Sequence, residues 1–150
     1  MTITVKDGSE YLRGLLLLIR KDRKISNAES VLMKRIGKAL GFEKDFCDNA
    51  IREILDNQFV ANEPPGFSTR ELALRFIRDG LTLAGADDET HGFEELWLKS
   101  VAKNNGIDEE RFLRERELAV RRGKDLDARL EVDDLTVEYS RHNSRGSSPG

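Results

Sequence analysis

Two pairs of acidic residues are the part of this sequence whose types and spacing could do chemistry. Asp22 precedes Glu29 by seven residues, and Asp87 and Glu94 repeat that spacing 65 positions later. In each half, we expect the Asp to end one helix and the Glu to begin the next, so that both carboxylates flank one hairpin loop. Hard cations such as calcium bind several carboxylate and carbonyl oxygens together, and a hairpin loop can supply both kinds. Each pair is therefore a candidate cation site.

Glu29 also has a purely structural interpretation. Ser26 and Glu29 have the spacing of a capping box, in which the Glu carboxylate accepts a hydrogen bond from a backbone amide and meets the positive end of the helix dipole. In the second half, His91 stands where the first half has Ser26. This weakens the second box and leaves Glu94 freer to bind a ligand.

The charges around the two loops differ. Asp22 lies among four basic residues within 20–24, whereas Asp87 is followed by further acidic residues and Glu94 is followed by Glu95. Carboxylates at this density repel one another unless a cation or a basic partner neutralises them. We therefore expect calcium, magnesium or manganese at the second loop rather than the first; a solvated acidic loop without a ligand is the alternative. The candidate metal ligands are Asp87, Asp88, Glu94, Glu95, Asp22 and Glu29.

The sequence contains few features of an enzyme or of a nucleic-acid-binding protein. The sequence has no Gly-rich phosphate loop, no Gly-x-Ser-x-Gly elbow and no Cys or His pair at zinc spacing. Residues 87–92 begin like a calcium loop, but position 12 is Leu98 instead of glutamate, which excludes an EF-hand. The net charge is −3, and the basic residues of 111–124 alternate with acidic ones. We expect a noncatalytic protein, neither an enzyme nor a partner of nucleic acid.

The acidic pairs belong to a longer internal repeat, since residues 11–42 recur without gaps at a shift of 65. The positions of Arg13, Asp22, Glu29 and Gly41 carry identical residues in the second copy. A repeat of this length indicates a helical hairpin duplicated and packed against its copy, because one hairpin cannot bury its apolar face alone. The sequence therefore predicts an all-α fold, with duplicated helical hairpins packed as a single bundle of about six to eight helices.

The expected organisation is an N-terminal extension over 1–8, a helical domain over 9–128 and a tail over 129–150 that is disordered from about 140. Within the domain, the repeats cover 11–56 and 76–122, and the prolines of 62–66 mark the seam. The sequence Ser68-Thr69-Arg70-Glu71 predicts a capping box, and Asp108 can begin the sixth helix. Residues 124–139 fit a short extended segment or a final helix. The predicted core includes Leu16, Ile19, Leu32, Ile36, Leu81, Ala84, Trp97 and Val101.

Cys47 and the longest apolar run bear on the compartment. One cysteine cannot form an internal disulfide, and we expect it to be a buried small hydrophobe. The longest apolar run, Leu15 to Ile19, is too short to span a membrane, and no signal sequence opens the chain. We expect a cytoplasmic protein with no transmembrane segment, a protein partner and scope for homo-oligomers.

The first repeat resembles the tellurite-resistance TerB-like domain. A leucine-rich helix runs into Asp22-Arg23-Lys24-Ile25-Ser26, followed by Glu29 and by Ile36-Gly37-Lys38-Ala39-Leu40-Gly41. The family shows an Ala-Asp-Gly-x-Ile loop, a later acidic residue and an Ala-Leu-Gly helix end, duplicated in an all-helical fold. The resemblance covers about 9–122, and the family glycine is Arg23 in the first loop and Asp88 in the second.

This resemblance implies a cytoplasmic helical module linked to tellurite or metal stress. Its acidic loop residues, which correspond to Asp22, Glu29, Asp87 and Glu94, would bind divalent cations. The alternative function is a helical protein–protein interaction domain without metal, whose acidic loop contacts a basic partner.

Overall fold

The computed structural model describes residues 1–20, 27–56, 63–85, 92–122 and 129–138. Within these ranges the chain forms six α-helices, one short 3-10 helix and two strands of two residues each, which confirms the predicted all-α fold. In chain order they are β1 (Thr2–Ile3), α1 (Val5–Arg20), α2 (Asn27–Ala39), α3 (Lys44–Asp56), α4 (Arg70–Ala84), α5 (Gly92–Asn104), α6 (Glu109–Arg122), the 3-10 helix (Glu131–Asp134) and β2 (Thr136–Val137).

The helix boundaries recur at the shift seen in the sequence. Moving α2 by 65 residues gives the bounds of α5, and α1 and α3 fall in the same way on α4 and α6 to within one residue. Gly41 and Gly106 end the second helix of each half at positive φ, 86° and 78°. In both, the glycine N–H and the next residue's N–H donate to carbonyls of the last helical turn, a Schellman motif. The left-handed conformation explains why both copies have glycine there.

The core lies around α1 and α4, the first helices of the two halves. The run from Leu15 to Ile19 is buried on every side, as expected for a helix surrounded by others. α1 packs against α2, α3, α4 and α5, and α4 packs against α5 and α6. Seven of the eight residues predicted for the core are buried, and Ala84 is half-buried.

The start of α4 differs from the predicted capping box. Thr69, not Ser68, is the N-cap residue, and its hydroxyl accepts from the Leu72 amide at 3.1 Å. Ser68 instead binds Asp7 of α1, donating from its hydroxyl at 2.5 Å and its amide at 3.1 Å. Asp108 caps α6 as predicted, accepting from the Arg111 amide at 2.8 Å.

Residues 1–8 and 129–138 pack onto the bundle more closely than predicted. Residues 1–8 contain β1 and the first turn of α1, so they are not an extension. Residues 129–138 are no free tail, since Leu130, Val132 and Leu135 are buried. β1 pairs with β2 in parallel, and the N-terminal ammonium donates to the Asp134 carbonyl at 2.8 Å. Too few residues lie in either segment for a helical or strand period to show, so the sequence predicts only an extension for 1–8 and leaves 124–139 open between an extended segment and a helix. The predicted disorder from about 140 lies outside the described residues.

Candidate functional site

Glu29 and Glu94 occupy equivalent places in the two halves, in the first turns of α2 and α5. Their exposed fractions are only 1% and 0%. A carboxylate costs free energy when it leaves water, so a buried one requires compensation by a cation, a basic group or amide donors. The two copies therefore carry the same costly group at the same place, in the first turn of the second helix of each half.

The other predicted ligands are distributed differently. Asp22, Asp87 and Asp88 lie outside the described residues. Within the described ranges, no group of three or more His, Cys, Asp or Glu side chains is arranged to hold a metal ion. Of the three candidates that the structure describes, Glu29 and Glu94 are buried and Glu95 is half-buried.

Glu95 has a partner that the sequence did not reveal. Its carboxylate binds the Arg116 guanidinium of α6 at 2.9 Å, while Lys99, its nearest basic neighbour in sequence, binds Glu109 at 2.5 Å. Both ion pairs join α5 to the antiparallel α6. Glu95 therefore faces α6 and diverges from the buried Glu94, because consecutive helical residues point about 100° apart.

The buried acid that the sequence reasoning missed is Asp79, in the middle of α4. Its carboxylate accepts from the Tyr11 hydroxyl at 2.7 Å and from the Glu131 and Val132 amides at 2.7 and 3.1 Å. Burial raises the pKa of Asp79 to about 6, against the lowering effect of these three hydrogen bonds. Burial also raises the pKa of Tyr11, and the neighbouring Asp79 charge adds to this. The signal for this site was an aspartate inside an otherwise apolar stripe of α4.

A second polar cluster surrounds Arg78, the neighbour of Asp79. Its guanidinium donates to Glu115 of α6 at 3.0 Å and to Glu131 at 2.8 Å, and hydrogen bonding to Glu115 raises its pKa. Burial alone would raise the pKa of Glu115, but the hydrogen bonds and charges of Arg78 and Arg111 leave it below its ordinary value. Together with Asp79, this cluster fastens residues 131–134 to α4 and α6.

These polar groups join segments that are distant in the sequence. Tyr11 and Asp79 are buried, so no substrate reaches them without local opening. Cys47 is buried in α3 as predicted, and burial raises its pKa, which disfavours the reactive thiolate.

The described residues define a helical bundle of two related three-helix units, α1–α3 and α4–α6. None of the described helices is long and apolar enough to cross a membrane. Comparison with protein-family models, curated proteins and solved structures finds no match for this chain. The TerB-like resemblance stays a prediction from the sequence.

Proposed function

We propose that this chain is a noncatalytic, TerB-like helical module that binds a divalent cation at the acidic hairpin loop of its second half. The observation that carries the proposal is the burial of Glu29 and Glu94 at equivalent positions, each of which follows Asp22, or Asp87 and Asp88, within seven residues of the sequence. A cytoplasmic role in tellurite or metal stress belongs to the same proposal and depends on the resemblance.

The chemistry favours Glu94 as the central ligand. Its side chain is fully buried in the first turn of α5, and two aspartates precede it within seven residues. Calcium, magnesium and manganese all accept carboxylate oxygens, and loop carbonyls can complete the shell. Glu95 does not belong to the proposed ligand set, since Arg116 already neutralises it. Glu29 and Asp22 form the weaker site because basic residues surround Asp22.

Thermal unfolding in the presence of each cation tests this proposal. A ligand at a hundred times its dissociation constant stabilises the folded state by about 2.7 kcal/mol, which corresponds to roughly 5–10 °C for a domain of this size. Glu94→Gln should abolish the increase in melting temperature, and Glu29→Gln should reduce it slightly. Glu95→Gln is the matched control and should retain it. Unchanged melting temperatures of the unmodified protein in millimolar calcium, magnesium and manganese would refute the proposal.

A second candidate function is a protein interaction module without metal. Val31 and Leu96 are equivalent in the repeat and are both exposed, at 57% and 64%. Large apolar side chains kept at the surface in both copies favour a contact surface. In this alternative the acidic loop binds a basic partner, so oligolysine should shift the amide signals of the first turn of α5 and sodium chloride should reverse the shift. No amide shift with oligolysine would exclude this function.

A further inference from the structure

The outer face of α6 carries exposed apolar side chains. Leu113 and Val120 are 47% and 71% exposed, and their separation of seven residues places them on one face, about 10 Å apart along the helix. The buried residues Phe112 and Glu115 lie about 100° and 160° around the helix from Leu113, and their side of α6 packs on α4 and α5. Leu113 and Val120 therefore lie together on one exposed flank of α6.

The charges on α6 are ordered along its axis. Its first turn contains Glu109 and Glu110, and its last turn contains Arg121 and Arg122. An antiparallel pair of such helices brings the acidic turn of each copy to the basic turn of the other, whereas a parallel pair sets like charges together. The helix dipoles also favour the antiparallel pair.

We propose that α6 is a self-association surface, on which a second copy of this chain docks antiparallel about a two-fold axis. A two-fold interface uses the same patch on both subunits. Leu113 of one copy then packs on Val120 of the second copy, and Glu110 lies near Arg121 of the second copy. Glu117, close to the axis, binds Arg121 of its own helix at 2.7 Å, so Arg121 lies near carboxylates of both copies in this arrangement.

The first test measures mass against concentration by sedimentation equilibrium of the full chain. We expect a reversible dimer within the range up to about 1 mM. Leu113→Glu or Val120→Glu should weaken association at least about tenfold, since a charge replaces a central apolar contact. Leu118→Glu is the matched control: Leu118 is also on α6 and 49% exposed, but it lies on the other flank and should leave association unchanged. Circular dichroism checks that each variant is folded.

The second test exchanges charges. Glu110→Lys gives a helix that is basic at its last turn and less acidic at its first, and Arg121→Glu gives the converse. Each variant alone should associate more weakly than the unmodified protein, and an equimolar mixture of the two should form a heterodimer. A monomeric unmodified protein at all concentrations, or variants whose mixture stays monomeric while each alone dimerises, would overturn the proposal.

Discussion

Asp79 offers a test of whether burial or hydrogen bonding controls the ionisation of a buried acid. The pKa of Asp79 rises from an ordinary value of 3.8 to about 6 in the folded protein. Between these values the folded state binds more protons than the unfolded state, so its stability falls as the pH rises. The contribution of Asp79 is fully present below the unfolded pKa and is lost as the pH passes the folded pKa.

The size of this effect follows from the shift of about two pKa units. Each unit corresponds to about 1.36 kcal/mol, so the contribution of Asp79 to the free energy of unfolding changes by roughly 3 kcal/mol in total. About 2 kcal/mol of this change falls between about pH 4.5 and 7.5. Asp79→Asn removes the titrating group and keeps the side-chain shape. Its amide can accept from Tyr11, but its NH₂ then meets the Glu131 amide, a second donor. This mismatch costs about 1–3 kcal/mol at all pH values.

The assay is urea unfolding of both proteins across this pH range at constant ionic strength. The difference in unfolding free energy, unmodified protein minus Asp79→Asn, should decrease by about 2 kcal/mol from low to neutral pH. Tyr11→Phe provides a second measurement, since loss of the hydroxyl donor should raise the pKa of Asp79 further and move the transition to higher pH. A difference that increases with pH would show that the three hydrogen bonds outweigh burial, and a flat difference would show no shift; either refutes the reasoning.

Two further changes probe the helix contacts. Gly14→Ala should destabilise the protein by about 1–3 kcal/mol, because the added Cβ would lie 2.7 Å from two ring atoms of Phe76. Gly66→Ala is the control: its Cβ would have nothing within 4 Å, so the free energy of unfolding should change by no more than about 0.5 kcal/mol. Equal melting temperatures for the two variants would contradict this packing argument. Glu115→Gln should lower the free energy of unfolding by about 1–2 kcal/mol at neutral pH, because it weakens the hydrogen bond from Arg78. The pKa of Glu115 is lowered in the folded protein, so the difference in unfolding free energy between the two proteins should shrink below about pH 4.

The sequence was most informative where structure is local. Helix ends are local features: Gly41 and Gly106 end α2 and α5, and Asp108 begins α6, through hydrogen bonds between residues close in the sequence. The local sequence alone therefore indicates them. The residues of α1, α2, α4 and α5 that were predicted to be buried were found from helical periodicity, which is also a local property.

Contacts between distant segments were not predictable from those patterns. Asp79 binds the amide of Glu131 52 positions away, and Glu95 binds Arg116 21 positions away. Neither spacing is periodic, and one sequence gives no register between separate helices. Of the candidate site, the pattern singled out Glu29 and Glu94, which are buried, but it did not indicate that Glu95 binds Arg116 of α6, because adjacency in sequence is not adjacency on a helix.

A difference between the two halves of the bundle explains how residues 131–137 are attached to it. The residue equivalent to Asp79 in the first half is Gly14, which lets Phe76 approach α1 closely. In the second half the same position carries Asp79, whose carboxylate accepts hydrogen bonds from the backbone amides of residues 131 and 132. Because β2 follows that segment and pairs with β1, this carboxylate contributes to the placement of both short strands. The duplication thus supplies the bundle, and Asp79, together with the ion pairs of Arg78 to Glu115 and Glu131, attaches residues 131–137 to it.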